Sequence, residues 1–237
     1  MSDRIPVITV DGPSSSGKGT IARLFAQELA WHFLDSGALY RLTALAAERH
    51  AIPFDDIEGL ETLAAHLDVQ FVSDNEGDVT RIYLEGEEVT DVIRSEICGN
   101  RASMVAAVGP VRAALLDRQR AFRQPPGLVA DGRDMGTVVF PDAELKIFLT
   151  ASLEERASRR YKQLKDKEGG VTLSALYQEL AERDSRDKAR AVAPLKPADG
   201  AVTIDTSGMG IDDVLAQVRQ LWAQVVGEQN SERQGSA

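Results

Sequence analysis

The sequence predicts an α/β fold, a parallel sheet flanked by helices, and three observations lead there. Short apolar runs alternate along the chain with longer segments of helical period. Those runs are nearly continuous in their apolarity, as expected of strands covered by helices on both faces rather than wetted on one. The first run passes through a glycine-rich turn directly into a helix, which is how strand-loop-helix units of such sheets begin.

The elements follow in order. Residues 5–10 form the first strand, ending at Asp11-Gly12, and Ile21, Leu24, Phe25 and Leu29 set a helix over 20–29. A second strand at 31–34 leads through Asp35-Ser36-Gly37 into a helix over 38–50. Further strands are predicted at 127–130, 145–149 and 202–204, making five in all, with helices at 153–167, 173–188 and 211–226. Right-handed crossovers place the loops after these strands along one edge, where open sheets bind ligands. Residues 63–95 interrupt the rhythm: 68–73 and 80–85 read as short strands about a turn at Asn75-Glu76-Gly77-Asp78, a small antiparallel insertion. Residues 92–123 are helical with a break near Gly109-Pro110. The polar stretch 227–237 carries no apolar period and is expected to be disordered.

Composition narrows the class. Hydrophobic residues make up 43% and charged residues 27%, ordinary values for a globular protein, and 237 residues suffice for a sizeable core in one or two domains. No apolar run approaches the roughly eighteen residues a membrane span requires, and the N-terminus lacks a secretory apolar region, so a cytoplasmic protein is expected. Cys98 is the only cysteine, which excludes an intrachain disulfide and reads as a small buried hydrophobe on a helix. His32, His50 and His66 are scattered, without zinc spacing. A net charge of −10 argues against a nucleic-acid partner, yet leaves room for an anionic small molecule bound by a local cluster of arginines.

The segment Gly12-Pro13-Ser14-Ser15-Ser16-Gly17-Lys18-Gly19-Thr20 lies where a phosphate-binding loop must lie, after a buried strand and before a helix. Its glycines let backbone amides curl around phosphate oxygens, the helix N-terminus adds partial positive charge, and Lys18 reaches the outer phosphates of a nucleotide such as ATP. The usual pattern has Ser or Thr directly after the lysine, whereas here Gly19 stands there and Thr20 follows. No hydroxyl at position 19 can ligate Mg2+, which would be held mainly by nucleotide phosphates and water. The Lys-Gly-Thr form resembles the loop of nucleoside monophosphate kinases.

Three further segments extend the resemblance. Asp35-Ser36-Gly37-Ala38-Leu39-Tyr40-Arg41, Asp131-Gly132-Arg133-Asp134-Met135-Gly136-Thr137, and Arg183-Asp184-Ser185-Arg186-Asp187 with Arg190 beyond it occur in that order. Together, over about residues 5–225, they resemble the bacterial cytidylate kinases. The resemblance implies a P-loop kinase core over 1–62 and 96–226, a lid within 153–190 whose turn is Gly169-Gly170, and an acceptor-binding insertion at 63–95. It further implies that Arg41, Arg133 and Arg190 grip phosphate beside Lys18. Ser36, Arg183 and Asp187 would hold the acceptor sugar, and Ser103, Arg112 and Asp134 would read the cytosine edge. Arg156, Arg159 and Arg160 stand behind these, because arginines on exposed helices are common.

Side-chain chemistry agrees with these roles. Arginine receives phosphate bidentately, and a carboxylate accepts from the cytosine amine while repelling the carbonyl that uracil presents there. Read as residues alone, Ser103 and Arg112 also fit a solvated helix, and Asp131 fits either magnesium binding through water or the core edge. The expected reaction is transfer of the ATP γ-phosphoryl group to CMP or dCMP by a monomer, with Mg2+. Kinases of another small acceptor (a different monophosphate, shikimate or dephospho-coenzyme A) and a nucleotide-gated binding protein are the alternatives, with a structural, non-nucleotide role ranked last.

Overall fold

The computed structural model describes residues 4–73, 80–165 and 171–235. The chain divides into two compact units. One comprises Met1–Leu34, Phe122–Lys188 and Ala193–Ala237; the other comprises Asp35–Ala121 and Ala189–Val192.

The first unit is built on a sheet whose strands are β1 (Val7–Asp11), β2 (His32–Asp35), β6 (Leu128–Gly132), β7 (Leu145–Thr150) and β8 (Val202–Asp205), in the order β2-β6-β1-β7-β8. The pairs β1–β6, β1–β7 and β7–β8 run parallel. Every residue of β1 and β6 is buried, which accounts for their nearly continuous apolarity up to Asp11 and Asp131. Helices α1 (Lys18–Leu29) and α8 (Ile211–Gly235) pack on each other. Phe25, Ile21, Val214 and Val218 thereby join Ile8, Val10, Val129 and Ile147 in one core. Each such side chain contributes about 1.5–3 kcal/mol by leaving water. The edge-to-face pair Trp31–Trp222, 5.2 Å between ring centroids, closes one end. Gly127 is required beside it, since a Cβ there would stand 2.3 Å from the Trp31 ring. Helices α6 (Leu153–Leu164) and α7 (Leu173–Ala189) follow β7.

The second unit holds α2 (Ser36–Arg49), α3 (Ile57–Ala65), the antiparallel strands β3 (Val69–Ser73), β4 (Thr80–Leu84) and β5 (Glu87–Glu88), and helices α4 (Glu96–Val105) and α5 (Gly109–Arg120). Helix α2 packs on α4, and α3 packs on α5, around the fully buried Leu39, Leu42, Leu60, Leu84 and Leu115. Pro110 occupies the first turn of α5, so the expected break at Gly109-Pro110 is a helix start. Cys98 lies buried on α4, as its residue type suggested.

Several expectations are corrected. Helix α3 was not foreseen, although Asp56 caps it by accepting from the Gly59 amide at 3.0 Å. The two compact units divide at residues 34/35 and 121/122, and within the second α2 packs on α3 and α4 while α3 packs on α5. Apolar periodicity shows that a helix has a buried face; it does not say against what. Helix α8 continues to Gly235, past the expected end at 226: residues such as Glu228 and Gln229 are good helix formers, no proline intervenes, and extending a helix is easier than nucleating one. The expected turns at 75–78 and at Gly169-Gly170 lie outside the described residues. Among the described residues, no helix is long and apolar enough to cross a membrane.

Candidate active site

The glycine-rich segment leaves β1 at Asp11 and enters α1 at Lys18. Gly12, with φ 152°, tolerates no side chain, since a Cβ would stand 2.0 Å from the Leu149 carbonyl oxygen of β7. Ser15 (φ 61°) and Gly17 (φ 90°) take left-handed conformations, and the chain curls between them. Four of the loop carbonyls are engaged on protein donors. Lys18 Nζ donates to Pro13 O at 3.1 Å, and Arg156 Nη1 to Ser14 O at 3.2 Å. Thr206 Oγ1 lies 3.1 Å and Arg159 Nη1 3.4 Å from Ser16 O, while the Ile21 amide takes Gly17 O at 3.1 Å. With these four carbonyls turned to protein donors, the loop can offer amides to an anion, at the N-terminus of a helix of twelve residues.

Gly19 has a local cause. A Cβ at this position would stand 2.9 Å from Asp131 Oδ2, so the Asp131 carboxylate occupies the space that a hydroxyl side chain after Lys18 would need. Asp131 comes from β6, paired with Val10 of β1, and is 7% exposed.

Beyond β6 the chain forms a short π-helical turn, Met135–Val139. The buried Asp11 carboxylate anchors this turn by accepting from the Met135 amide at 2.9 Å and the Gly136 amide at 2.8 Å. Arg133, just before the turn, donates to Asp187 Oδ2 at 3.1 Å, to Ser14 Oγ at 2.9 Å and to its neighbour's carbonyl. It therefore joins the turn, α7 and the phosphate loop. Asp134 is 3% exposed at the head of the same turn, and Arg183 lies on α7 one turn before Asp187.

The remaining expected residues belong to the second unit. Ser36 begins α2 and is buried, just after Asp35, whose carboxylate caps the helix at the Ala38 amide. Arg41 Nη1 donates to Ile93 O at 2.5 Å and Ser95 O at 3.1 Å, which ties α2 to the start of α4. Ser103 is 2% exposed. The Arg112 guanidinium lies over the Tyr40 ring, 5.4 Å from its centroid, and donates to Ala106 O. Arg112 and Ser103 are thus not the solvated surface residues that a helix alone would suggest. Arg190 is also buried.

A family model for cytidylate kinase matches residues 8–224 of this chain. The chain belongs to the cytidylate kinase family. It is 60% identical over 226 residues to a cytidylate kinase of Shewanella frigidimarina, covering 95% of this chain and 99% of that one. It is 62% identical to one of Nitrosococcus oceani, covering 92% and 96% of the two chains. It is 61% identical to one of Pseudomonas fluorescens, covering 92% and 95%.

Within this cytidylate kinase framework, Asp184 and Thr206 had been given no role from the sequence, and Arg156 and Arg159 had been set behind others. Arg156 on α6 is 4% exposed and forms a two-point pair with Asp184 of α7, Nη1–Oδ1 3.1 Å and Nη2–Oδ2 2.5 Å. Arg159 reaches Thr206 and Ser16, and Arg160 donates to Gln163 Oε1 on its own helix at 3.1 Å. The helical spacing of Arg156 and Arg159 on the Lys/Arg-rich α6 was visible, but their partners lie in other segments.

Asp11 carries a pH prediction. Burial pushes its carboxyl up to about 6 from an ordinary 3.8, against the lowering effect of the Gly136 and Met135 amides. A raised carboxylate pKa favours the folded state in acid, so this contribution is full below pH about 4 and is lost as pH rises through about 6, by about 3 kcal/mol in all. Unfolding free energies of the natural protein and Asp11→Asn, compared from pH 4 to 7, should therefore shift in favour of the asparagine variant by up to that amount. A pH-independent difference would rule the effect out.

Proposed function

We infer that the protein is an ATP-dependent kinase that phosphorylates CMP and dCMP to the diphosphates. The carrying observation is family membership over residues 8–224 in a chain whose phosphate loop is intact, with four of its carbonyls engaged behind it. The acceptor phosphate has its second pKa near ~6 and is largely dianionic at neutral pH, so the attacking oxygen needs no general base. What remains is alignment and charge stabilisation.

In this reading Lys18 and the loop amides hold the outer phosphates of ATP. Arg133, Arg41 and Arg190 receive the acceptor phosphate and the charge that builds during transfer. Arg133 is suited to this because Asp187 and Ser14 already orient it, so little side-chain freedom is lost when an anion arrives. Ser36, Arg183 and Asp187 hold the sugar, and Ser103, Arg112 and Asp134 read the base. The burial of Ser103, Arg112 and Asp134 supports the last role, since a buried polar edge left unmatched by the wrong base is costly. Asp131 fits a magnesium site of the kind expected: one carboxylate against the helix start, reaching the ion through water, with the nucleotide supplying most ligands. Bound there, the ion neutralises phosphate charge. Helices α6 and α7 form the lid that excludes water, and the enzyme acts as a cytoplasmic monomer.

A coupled ADP-release assay with ATP and magnesium, offering CMP, dCMP, UMP, AMP and GMP separately, tests this reading. Strong turnover with CMP and dCMP alone is expected; a different preferred acceptor would discard the base-reading roles. In the same assay Asp134→Ala should lower the ratio of kcat/KM for CMP over UMP about tenfold or more. An unchanged ratio would remove Asp134 from recognition.

A further inference from the structure

We propose that Thr206 is a positioning residue for the phosphate loop: its hydroxyl, held by Arg159, keeps the Ser16 carbonyl turned away from the ATP phosphates. The inference rests on the reading of the loop as the ATP site. Thr206 follows β8 at the edge of the sheet, 190 residues from Ser16, and is 2% exposed.

Its hydroxyl has one proton and two carbonyls within reach, Ser16 O at 3.1 Å and Thr150 O at 3.0 Å. Thr150 O already accepts from the Thr206 amide at 2.8 Å. Arg159 Nη1 lies 3.0 Å from the hydroxyl oxygen and, having only protons to give, occupies its acceptor side. The hydroxyl proton is shared between Ser16 O and Thr150 O, and Arg159 Nη1, 3.4 Å from Ser16 O, adds a second donor on the same carbonyl. Arg159 is itself fixed by Glu155 Oε1 at 2.9 Å and Thr206 O at 2.5 Å.

The carbonyl of residue 16 and the amide of residue 17 belong to one trans peptide plane and point in opposite directions. Pinning Ser16 O on the outer side therefore aims the Gly17 amide inward. The residue that follows this plane is Gly17, at φ 90°, and glycine leaves a peptide free to flip at little cost. A flipped plane would present a carbonyl oxygen to the phosphates where an amide belongs. The Thr206 hydroxyl, with Arg159 Nη1 beside it, restrains this plane where the glycine at position 17 leaves it free to turn.

The test is steady-state kinetics of Thr206→Val, which keeps the shape and removes the hydroxyl, with each substrate varied while the other saturates. The KM for ATP should rise about tenfold, the size of one lost buried hydrogen bond, with the KM for CMP within about twofold. Thr206→Ser should restore the natural values. Thr206→Ala serves in place of valine should valine not be accommodated, melting temperature being the check. An unchanged KM for ATP, an equal rise in both KM values, or a serine variant behaving like valine would overturn the proposal. Unaltered kinetics of Thr206→Val beside an inactive Lys18→Ala would remove this inference and leave the ATP reading standing; an active Lys18→Ala would remove both.

Discussion

Replacing Lys18 with alanine is expected to lower kcat by about three orders of magnitude, the scale on which a preorganised charge-stabilising donor acts in a water-poor site. Lys18 is 8% exposed and folds back so that its ammonium lies 3.1 Å from Pro13 O, on the loop that receives the phosphates. No other side chain of the loop itself carries positive charge. The fold should survive, because position 18 opens α1 and alanine is the best helix former. A coupled ADP-release assay and a melting curve on the same preparation separate the two effects. Turnover close to that of the natural protein would sink the assignment of the loop, and a collapsed melting curve would show Lys18 to be structural.

Asp184→Ala should be the most destabilising single change near the site. It leaves the Arg156 guanidinium, 4% exposed, without the carboxylate that meets it at two points. Breaking a buried pair by removing one partner costs about 3–5 kcal/mol, and the partial exposure of Asp184 places the expectation near the lower figure. In a chain of this size that lowers the melting temperature by roughly 10 °C. A pair such as Arg219–Glu28, half exposed at the surface, contributes little by comparison. Asp184→Ala should also raise the KM for ATP, because Arg156 holds Ser14 O as well. Replacing both partners, Arg156→Met with Asp184→Leu, should recover much of the stability without restoring ATP affinity. A melting temperature within about 2 °C of the natural protein in Asp184→Ala would exclude the pair as a structural element.

Determined by the sequence alone were the features whose physics is local. Residues 7–29 form strand, loop and helix from contiguous signals: a buried apolar run, glycines where φ must be positive, and a lysine at the helix start. The succession of strands and helices along the chain, the two short strands at 69–73 and 80–84 and the break at Gly109-Pro110 were legible for the same reason. The Asp131 to Thr137 segment carried the family resemblance because its residues stand side by side. Only the tertiary structure decided the partners. Arg156 meets Ser14 across 142 residues and Thr206 meets Ser16 across 190, and no periodicity or spacing records such separations. The same holds for Asp131 filling the space beside Gly19, and for Asp11 anchoring the turn at Met135. It holds again for α2 to α5 gathering into their own unit. A hydrogen bond to a carbonyl, or the burial of a helix face, is satisfied by any group that the fold brings near, so the residue type announces the need while the packing chooses what meets it.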